Sequence, residues 1–243
     1  MKINFYLILL IVFLTSSCQN AAKKDTPATL YKEAFAMLKD KDFLSAAEAF
    51  EKIDSEFPFN KWAIKGQVMA TYAYYNIKEY DKSIQLSDDF IKLYPSSEYI
   101  PYMMYMKALS YYHKIPAVDR SQENTKEASA GFREIIIKYN NTNYADDAKS
   151  KLIFVDEHLA GSKISLARYY INDKNYIGAI KNLDEVINRY RNSNQVAEAY
   201  YRLAEIFFRI GAKDLCSDIS YKLLEKYPKS YWAKEAKKFL INN

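Results

Sequence analysis

Few residues of this chain are of the types that carry out chemistry, and they are scattered. The 243 residues include two histidines, His113 and His158, and two cysteines, Cys18 and Cys216. Each histidine falls on a predicted helix. The sequence has no glycine-rich phosphate loop and no Cys or His cluster at the spacing of a metal site. It therefore predicts no catalytic centre, no metal site and no cofactor.

Two pairs of adjacent carboxylates are the remaining candidates for acid–base chemistry. Asp146-Asp147 and Asp156-Glu157 both fall on one long predicted helix. Charged pairs in such a setting usually form the solvated face of the helix, which favours a structural interpretation. An enzyme is the weaker alternative, and we expect a protein that binds other molecules without catalysis.

The composition favours helix throughout the chain. Hydrophobic residues make up 49% and charged residues 27%, with five Gly and six Pro. The net charge of +5 is spread along the chain, so no nucleic-acid surface is predicted. The 23 tyrosines suit thin, half-exposed hairpins, because the ring fills a core while the hydroxyl reaches the surface.

The N-terminal segment reads as an export signal rather than as part of the fold. Met1-Lys2 precedes an apolar run from Phe5 to Leu14, which is too short to span a bilayer. The following Thr15-Ser16-Ser17-Cys18 resembles the lipobox of bacterial lipoproteins, with Leu14 one place earlier than usual. We expect a signal peptide at 1–17, a lipidated Cys18 and a tether at 18–27. An ordinary secretory signal is the alternative.

A repeated set of positions predicts the architecture. Two small residues lie twelve residues apart, and a helix-ending position follows twelve residues later; the third set alone has eight extra residues between its alanines. Small side chains let antiparallel helices cross closely, and Pro cannot continue a helix. The sets start 37, 37, 59 and 37 residues apart and are Ala34/Ala46/Pro58, Thr71/Ser83/Pro95, Ala108/Ala128/Asn140, Ala167/Ala179/Arg191 and Ala204/Cys216/Pro228.

A period in this range is typical of helical solenoids, in which each hairpin buries its face on the next. We predict an all-α solenoid of five helical hairpins plus a C-terminal capping helix at 231–240. The hairpins are expected at 28–57, 61–94, 98–139, 143–190 and 194–227. Cys216 then fills a small-residue position as a structural residue.

Two irregularities interrupt the repeat. The third hairpin has a long turn from Lys114 to Asn124, and the fourth begins with a long helix from about Tyr144 to Ile171. That helix has about fourteen extra residues, close to four turns, so its faces keep their orientation. Gly161 is its one weak point. We interpret it as a spacer between an N-terminal half at 28–139 and a C-terminal half at 140–243.

The spacing of small residues and Pro resembles that of tetratricopeptide repeats, and local strings resemble one family that carries them. This is the BamD family, the lipoprotein subunit of the outer-membrane β-barrel assembly machinery. The strings that carry the resemblance are Thr71-Tyr72-Ala73-Tyr74-Tyr75, Tyr102-Met103-Met104-Tyr105-Met106-Lys107-Ala108-Leu109, Val118-Asp119-Arg120-Ser121, Tyr169-Tyr170 and Phe57-Pro58-Phe59.

The resemblance implies a non-catalytic scaffold, anchored in the outer membrane through acylated Cys18 and facing the periplasm. Its implied partners are the POTRA domains of BamA, docked through the C-terminal half, and unfolded outer-membrane protein precursors. Lys181, Asn182 and Arg189 occupy the expected docking region. The alternative is another periplasmic repeat lipoprotein that coordinates envelope or cell-wall assembly; the long third turn and the long helix favour the first reading.

The repeat positions that face inward predict a binding groove. Counting from Thr71 and Ala108 as eighth positions, the second, fifth, ninth and twelfth places are rich in aromatic residues. Such a groove suits an extended peptide with aromatic side chains, because tyrosine hydroxyls can bond its backbone. The predicted groove residues are Tyr31, Phe35, Leu38, Tyr72, Tyr75, Tyr102, Tyr105, Leu109 and Tyr112.

Overall fold

The computed structural model describes residues 26–241. These residues form eleven α-helices and no strand. In chain order the helices are α1 (Pro27–Lys39), α2 (Phe43–Glu56), α3 (Lys61–Asn76), α4 (Tyr80–Leu93), α5 (Ile100–His113), α6 (Glu123–Lys138), α7 (Asn143–Asn172), α8 (Tyr176–Arg189), α9 (Val196–Arg209), α10 (Lys213–Lys226) and α11 (Tyr231–Ile241). The predicted five hairpins and capping helix are confirmed.

Local signals explain where the helices begin. The Thr26 hydroxyl accepts the Thr29 amide while the Thr29 side chain caps the Thr26 backbone, and Pro27 occupies the first turn. Thr142 caps α7 by accepting the Ala145 amide. Asn60 caps α3 in the same way, accepting the amide of Trp62. Each cap satisfies a donor that the helix itself leaves unpaired.

Four of the five hairpins turn through the same backbone conformation. A left-handed residue follows the first helix at Lys41, Lys78, Lys174 and Gly211, with φ between 60° and 76°. The third hairpin replaces this tight turn with a longer loop over 114–122. Two side-chain hydrogen bonds hold that loop. The side-chain amide of Gln122 donates to the carbonyl of Ala117, and that of Asn124 donates to the carbonyl of Lys114.

The small residues of the repeat lie at the helix crossings, as predicted. All ten are buried, with at most 1% of their surface exposed: Ala34, Ala46, Thr71, Ser83, Ala108, Ala128, Ala167, Ala179, Ala204 and Cys216. Each helix packs on its neighbours in sequence, and the first helices α1, α3, α5, α7 and α9 also contact one another in turn. This pattern is that of a solenoid.

The long helix confirms the second irregularity. α7 runs without interruption for 30 residues through Gly161, within one residue of the predicted bounds at each end. The largest buried apolar cluster extends continuously from Ala108 in α5 to Ala236 in α11. Smaller clusters lie in the first two hairpins, and one of them includes Ile100 and Met103 at the start of the third. The division at residue 139 stays a prediction.

The predicted signal peptide, Cys18 and most of the tether lie outside the described residues. Within residues 26–241, no helix is long and apolar enough to cross a membrane. The same residues contain no group of His, Cys, Asp and Glu arranged to hold a metal ion.

Candidate binding surface

Five tyrosines from three successive first helices lie close together, and one of them binds a carboxylate. The Tyr105 hydroxyl of α5 donates to Asp147 Oδ2 of α7 at 2.5 Å. The Tyr144 ring lies 5.3 Å from the Tyr105 ring and 5.7 Å from the Tyr102 ring, measured between centroids. We call Tyr72, Tyr75, Tyr102, Tyr105 and Tyr144, together with Asp147, the tyrosine cluster.

The electrostatics of the cluster show how closely its hydroxyls sit. Burial raises the pKa of Tyr75 from 10.0 to about 12, and the neighbouring hydroxyls and Asp147 add to the effect. Burial also raises the pKa of Tyr102, followed by the influence of Tyr144, Tyr72 and Tyr75. Tyr75 and Tyr102 therefore stay neutral at physiological pH and act through hydrogen bonds and ring contacts.

His113 closes one end of the cluster. Its Nε2 lies 2.8 Å from the Tyr75 hydroxyl, and its ring stacks on Tyr80 at 5.4 Å. Burial, Lys151 and Lys78 lower the pKa of His113 and favour its neutral form. The neutral ring is held among Tyr75, Tyr80 and Tyr112.

Tyr112 extends the same surface along α7. Its ring packs edge-on against Phe132 and Phe154, at 6.0 and 5.6 Å. Lys151 lies over the Tyr112 ring at 5.4 Å and pairs with Asp147 at 3.3 Å. Tyr112 is thus connected to the cluster through one lysine.

The first-hairpin residues belong to a separate cluster. Tyr31 packs against Phe35, Phe50 and Trp62, with centroids 5.1 to 6.2 Å apart. Leu38 packs against the same small core. Tyr31 and Phe35 therefore lie in the layer formed by the first helices of the hairpins, as the tyrosine cluster does. Their ring contacts are with other residues than those of the cluster. Leu109 is buried, at 7% exposure, and cannot line a groove.

The predicted docking residues do not share one face of α8. Lys181 and Arg189 are exposed. Asn182 is only 7% exposed, and its amide donates to the Gly178 carbonyl of its own helix at 2.8 Å. The placement of Asn182 on a docking surface is therefore corrected, because its side chain satisfies its own helix instead of facing solvent.

Sequence reasoning missed the contributions of α7 to the site. Tyr144, Asp147 and Lys151 recur at helical spacing on the face that meets α5. Repeat counting from Ala167 did not reach them, because they lie in the extra turns of the helix. Counting fourteen residues back from Gly161, the second position of this repeat, reaches Asp147; Tyr144 and Lys151 lie three and four residues from it, on the same face.

A second network lies at the other end of the first-helix layer. Arg168 binds buried Glu198 through two hydrogen bonds of 2.7 and 2.6 Å. Arg202 joins Glu198 to Glu205, and Arg209 pairs with Glu205 in turn. The layer formed by the first helices therefore carries the tyrosine cluster in the first part of the chain and this network of ion pairs in the second.

Comparison with known proteins identifies relatives along most of the chain. Residues 23–223 match the model of the family described as YfiO, outer membrane lipoprotein. A protein of Rickettsia prowazekii named outer membrane protein assembly factor BamD is 34% identical, over 88% of this chain and 86% of its own length. Proteins of the same name from Caulobacter vibrioides and Neisseria meningitidis serogroup A are 29% and 30% identical, over 94% and 88% of this chain and 77% and 88% of their own lengths.

Among solved structures, the TPR2AB domain complex of yeast Sti1 aligns with 89% of this chain and 83% of its own. The TM-score is 0.43 at 16% identity, which is too remote to bear on function. The family assignment therefore rests on the sequence match, which covers far more than half of the chain. On that basis the chain belongs to the YfiO family of outer membrane lipoproteins.

Proposed function

We propose that this protein is a non-catalytic scaffold of outer-membrane β-barrel assembly. Its tyrosine cluster contacts unfolded outer-membrane protein precursors, and its C-terminal half docks on the POTRA domains of BamA. The support for this role is that relatives covering most of the chain are named outer membrane protein assembly factor BamD. Acylated Cys18 holds the chain in the outer membrane with its folded part in the periplasm.

The tyrosine cluster is the observation that carries the proposal. Precursors of barrels commonly end in strands that contain aromatic residues. The cluster offers ring faces to such side chains, while its hydroxyl oxygens can accept backbone N–H groups. Tyr72, which is 38% exposed, is the ring most open to an incoming chain. The half-buried members hold the surface rigid, so that little ordering cost remains on binding.

Crosslinking to a precursor peptide tests this surface. In the first variant, Tyr72→Ala removes an exposed ring with little effect on the core. In the second, Tyr105→Phe keeps the ring but removes the bond to Asp147. A peptide from the last strand of a barrel, carrying a photoreactive group, should crosslink about fivefold less to Tyr72→Ala, a change equivalent to about 1 kcal/mol.

Tyr221→Ala is the matched control, because Tyr221 is exposed on α10, away from the cluster. Thermal unfolding establishes that each variant is folded. Crosslinking that stays unchanged in both cluster variants would refute the precursor role of this surface. A loss of equal size in Tyr221→Ala would show that the peptide binds tyrosines without selectivity.

Co-purification tests the docking role. Lys181→Glu with Arg189→Glu reverses two exposed charges of α8 and should weaken retention of a POTRA-bearing barrel protein, most strongly at low salt. Lys222→Glu with Lys229→Glu is a matched change on exposed residues elsewhere. If the unmodified protein retains no POTRA-bearing protein and instead retains envelope or cell-wall enzymes, the other periplasmic lipoprotein role is correct.

A further inference from the structure

The longest helix of the fold, α7, extends well past α8, the second helix of its own hairpin. α7 has 30 residues and α8 has 14. An ion pair of 2.6 Å between Lys163 and Glu185 fixes their antiparallel register. In that register Arg189, at the end of α8, lies beside about residue 159 of α7. Within the described chain, residues 143–158 therefore lack a second helix from their own hairpin.

This stretch, on which α6 packs but α8 does not, borders an open cleft of about 880 Å³. Its floor is apolar and includes Ile136, Leu152 and Ile153. Ile153 is 75% exposed, so part of this apolar floor is open to solvent. The turn after α8 forms the opposite wall, from Arg189 to Asn194. We call this cleft the α7 notch.

The acidic residues of the α7 notch are already engaged within the protein. Arg133 donates to both oxygens of Asp156, at 2.7 and 2.6 Å. Glu157 accepts the backbone amide of Asn194 at 3.0 Å and the side-chain amide of Gln195 at 3.1 Å. Arg133 offsets Asp156, whereas Glu157 binds only neutral amides and keeps its negative charge. The lining still holds more cations than carboxylates, with Arg133, Lys149, Arg189 and Arg191 against Asp156 and Glu157.

Arg189 and Arg191 are less strongly paired with carboxylates than Arg133 is. Arg191 is exposed and donates through Nε to the carbonyl of Asn188, and it forms no ion pair with a carboxylate of residues 26–241. Arg189 lies 3.8 Å from Glu185, whose other oxygen is taken by Lys163. Lys149 on the opposite rim is exposed and pairs with exposed Asp146. The notch thus combines an apolar floor with a positively charged rim.

We propose that the α7 notch is a docking site for an acidic amphipathic helix of a partner protein. The stretch 143–158 is about 24 Å long, which fits roughly four turns of helix. Its apolar floor occupies the side of α7 on which the second helix of a hairpin would otherwise pack, and the rim would meet acidic flanks. The inference shares Arg189 with the proposed docking role and otherwise stands independently of it.

A synthetic helix of stated composition tests the notch directly. The probe is a labelled peptide of four turns, with leucines along one face and glutamates on the others, titrated against the purified mature chain by fluorescence anisotropy. Ile153→Glu, and separately Arg189→Glu with Arg191→Glu, should each weaken binding about tenfold or more. Ile177→Glu should bind as the unmodified protein does, since Ile177 is exposed on α8 outside the notch.

A peptide with lysines in place of the glutamates should not bind. The proposal fails if the unmodified protein does not bind the acidic peptide, or if Ile177→Glu weakens binding as much as Ile153→Glu. It also fails if sedimentation shows self-association that Ile153→Glu abolishes, since the notch would then accept a second copy. Binding to anionic phospholipid vesicles that depends on the arginines but not on Ile153 would assign the rim to a membrane surface instead.

These outcomes are separable from failure of the proposed function. Normal peptide binding by Tyr72→Ala, together with unchanged precursor crosslinking, would refute the tyrosine surface and leave the notch intact. Lost peptide binding in the notch variants, with normal precursor crosslinking, is the expected result if both inferences hold.

Discussion

At the scale of single residues, two glycines on helices have opposite surroundings. A Cβ added to Gly131 in α6 would lie 2.8 Å from the Ala108 Cβ, closer than real carbon atoms approach. A Cβ added to Gly161 in α7 would meet the Val118 Cγ1 at 3.7 Å, an ordinary contact. The first glycine permits a close helix crossing, whereas the second only adds backbone freedom.

The same substitution should therefore have opposite effects at these positions. Gly161→Ala should raise the free energy of unfolding by about 0.5–1 kcal/mol, because it removes glycine from a helix interior. Gly131→Ala should lower it by about 1–3 kcal/mol, because α5 and α6 must move apart. Urea unfolding followed by circular dichroism measures both. Two shifts of the same sign would contradict the packing described for α5 and α6.

At the scale of elements, α7 joins the aromatic and ionic parts of the first-helix layer. Its first turns carry Tyr144 and Asp147 to the tyrosine cluster, while Arg168 near its end binds Glu198. The helix is continuous between these points. It therefore fixes the distance and rotation between the two surfaces; its role as a spacer between two halves stays a prediction.

A proline within α7 should uncouple the two surfaces. Gly161→Pro removes a backbone hydrogen bond and clashes with the preceding turn, at a cost of about 3 kcal/mol in this helix. We expect precursor crosslinking through the tyrosine cluster to fall less than co-purification with a POTRA-bearing protein. Gly161→Ala is the control, since it changes the same site without breaking the helix. Parallel loss of both activities would argue against separate roles for the halves.

The elements could be predicted from sequence because their signals are local and repeated. The small residues at fixed intervals predicted the position of every hairpin. The gap between Ala108 and Ala167 predicted the long helix α7. The site was harder to predict, because it depends on rotation about each helix. Asn182 lies in the predicted docking region, but its side chain bonds back to its own helix. Tyr144 was missed because its turn lies outside the repeat.

At the scale of the whole molecule, contacts run between neighbouring helices along the stack. The largest apolar cluster links the last three hairpins and the capping helix, while the first two hairpins have smaller clusters. In a solenoid, stability is approximately the sum of such neighbouring interfaces. Disruption of the tyrosine cluster should therefore affect the molecule mainly through the second, third and fourth hairpins.

Alkaline pH should lower the stability that the tyrosine cluster contributes to the fold. The folded-state pKa of Tyr75 is raised from 10.0 to about 12, and those of Tyr102 and Tyr105 are also raised. Their neutral forms are favoured in the folded state. The associated stability is therefore fully present below pH 10.0 and is lost as pH rises toward about 12. Urea midpoints measured across this range should fall.

Tyr75→Phe provides the control for that decline, because it removes one ionisable hydroxyl and keeps the ring. Its urea midpoint should fall less steeply between pH 10.0 and about 12 than that of the unmodified protein. Identical slopes for the two proteins would show that Tyr75 does not contribute to the alkaline loss.

The uninterrupted length of α7 also constrains which insertions and deletions this chain can accept in evolution. Each residue inserted into or deleted from a helix rotates everything beyond it by about 100°. A single deletion near Gly161 would turn Arg168 and all later hairpins by more than a quarter of a circle relative to Asp147. Only insertions or deletions close to whole turns would keep both ends in phase, so length variation in this helix should occur in steps of about seven or eleven residues.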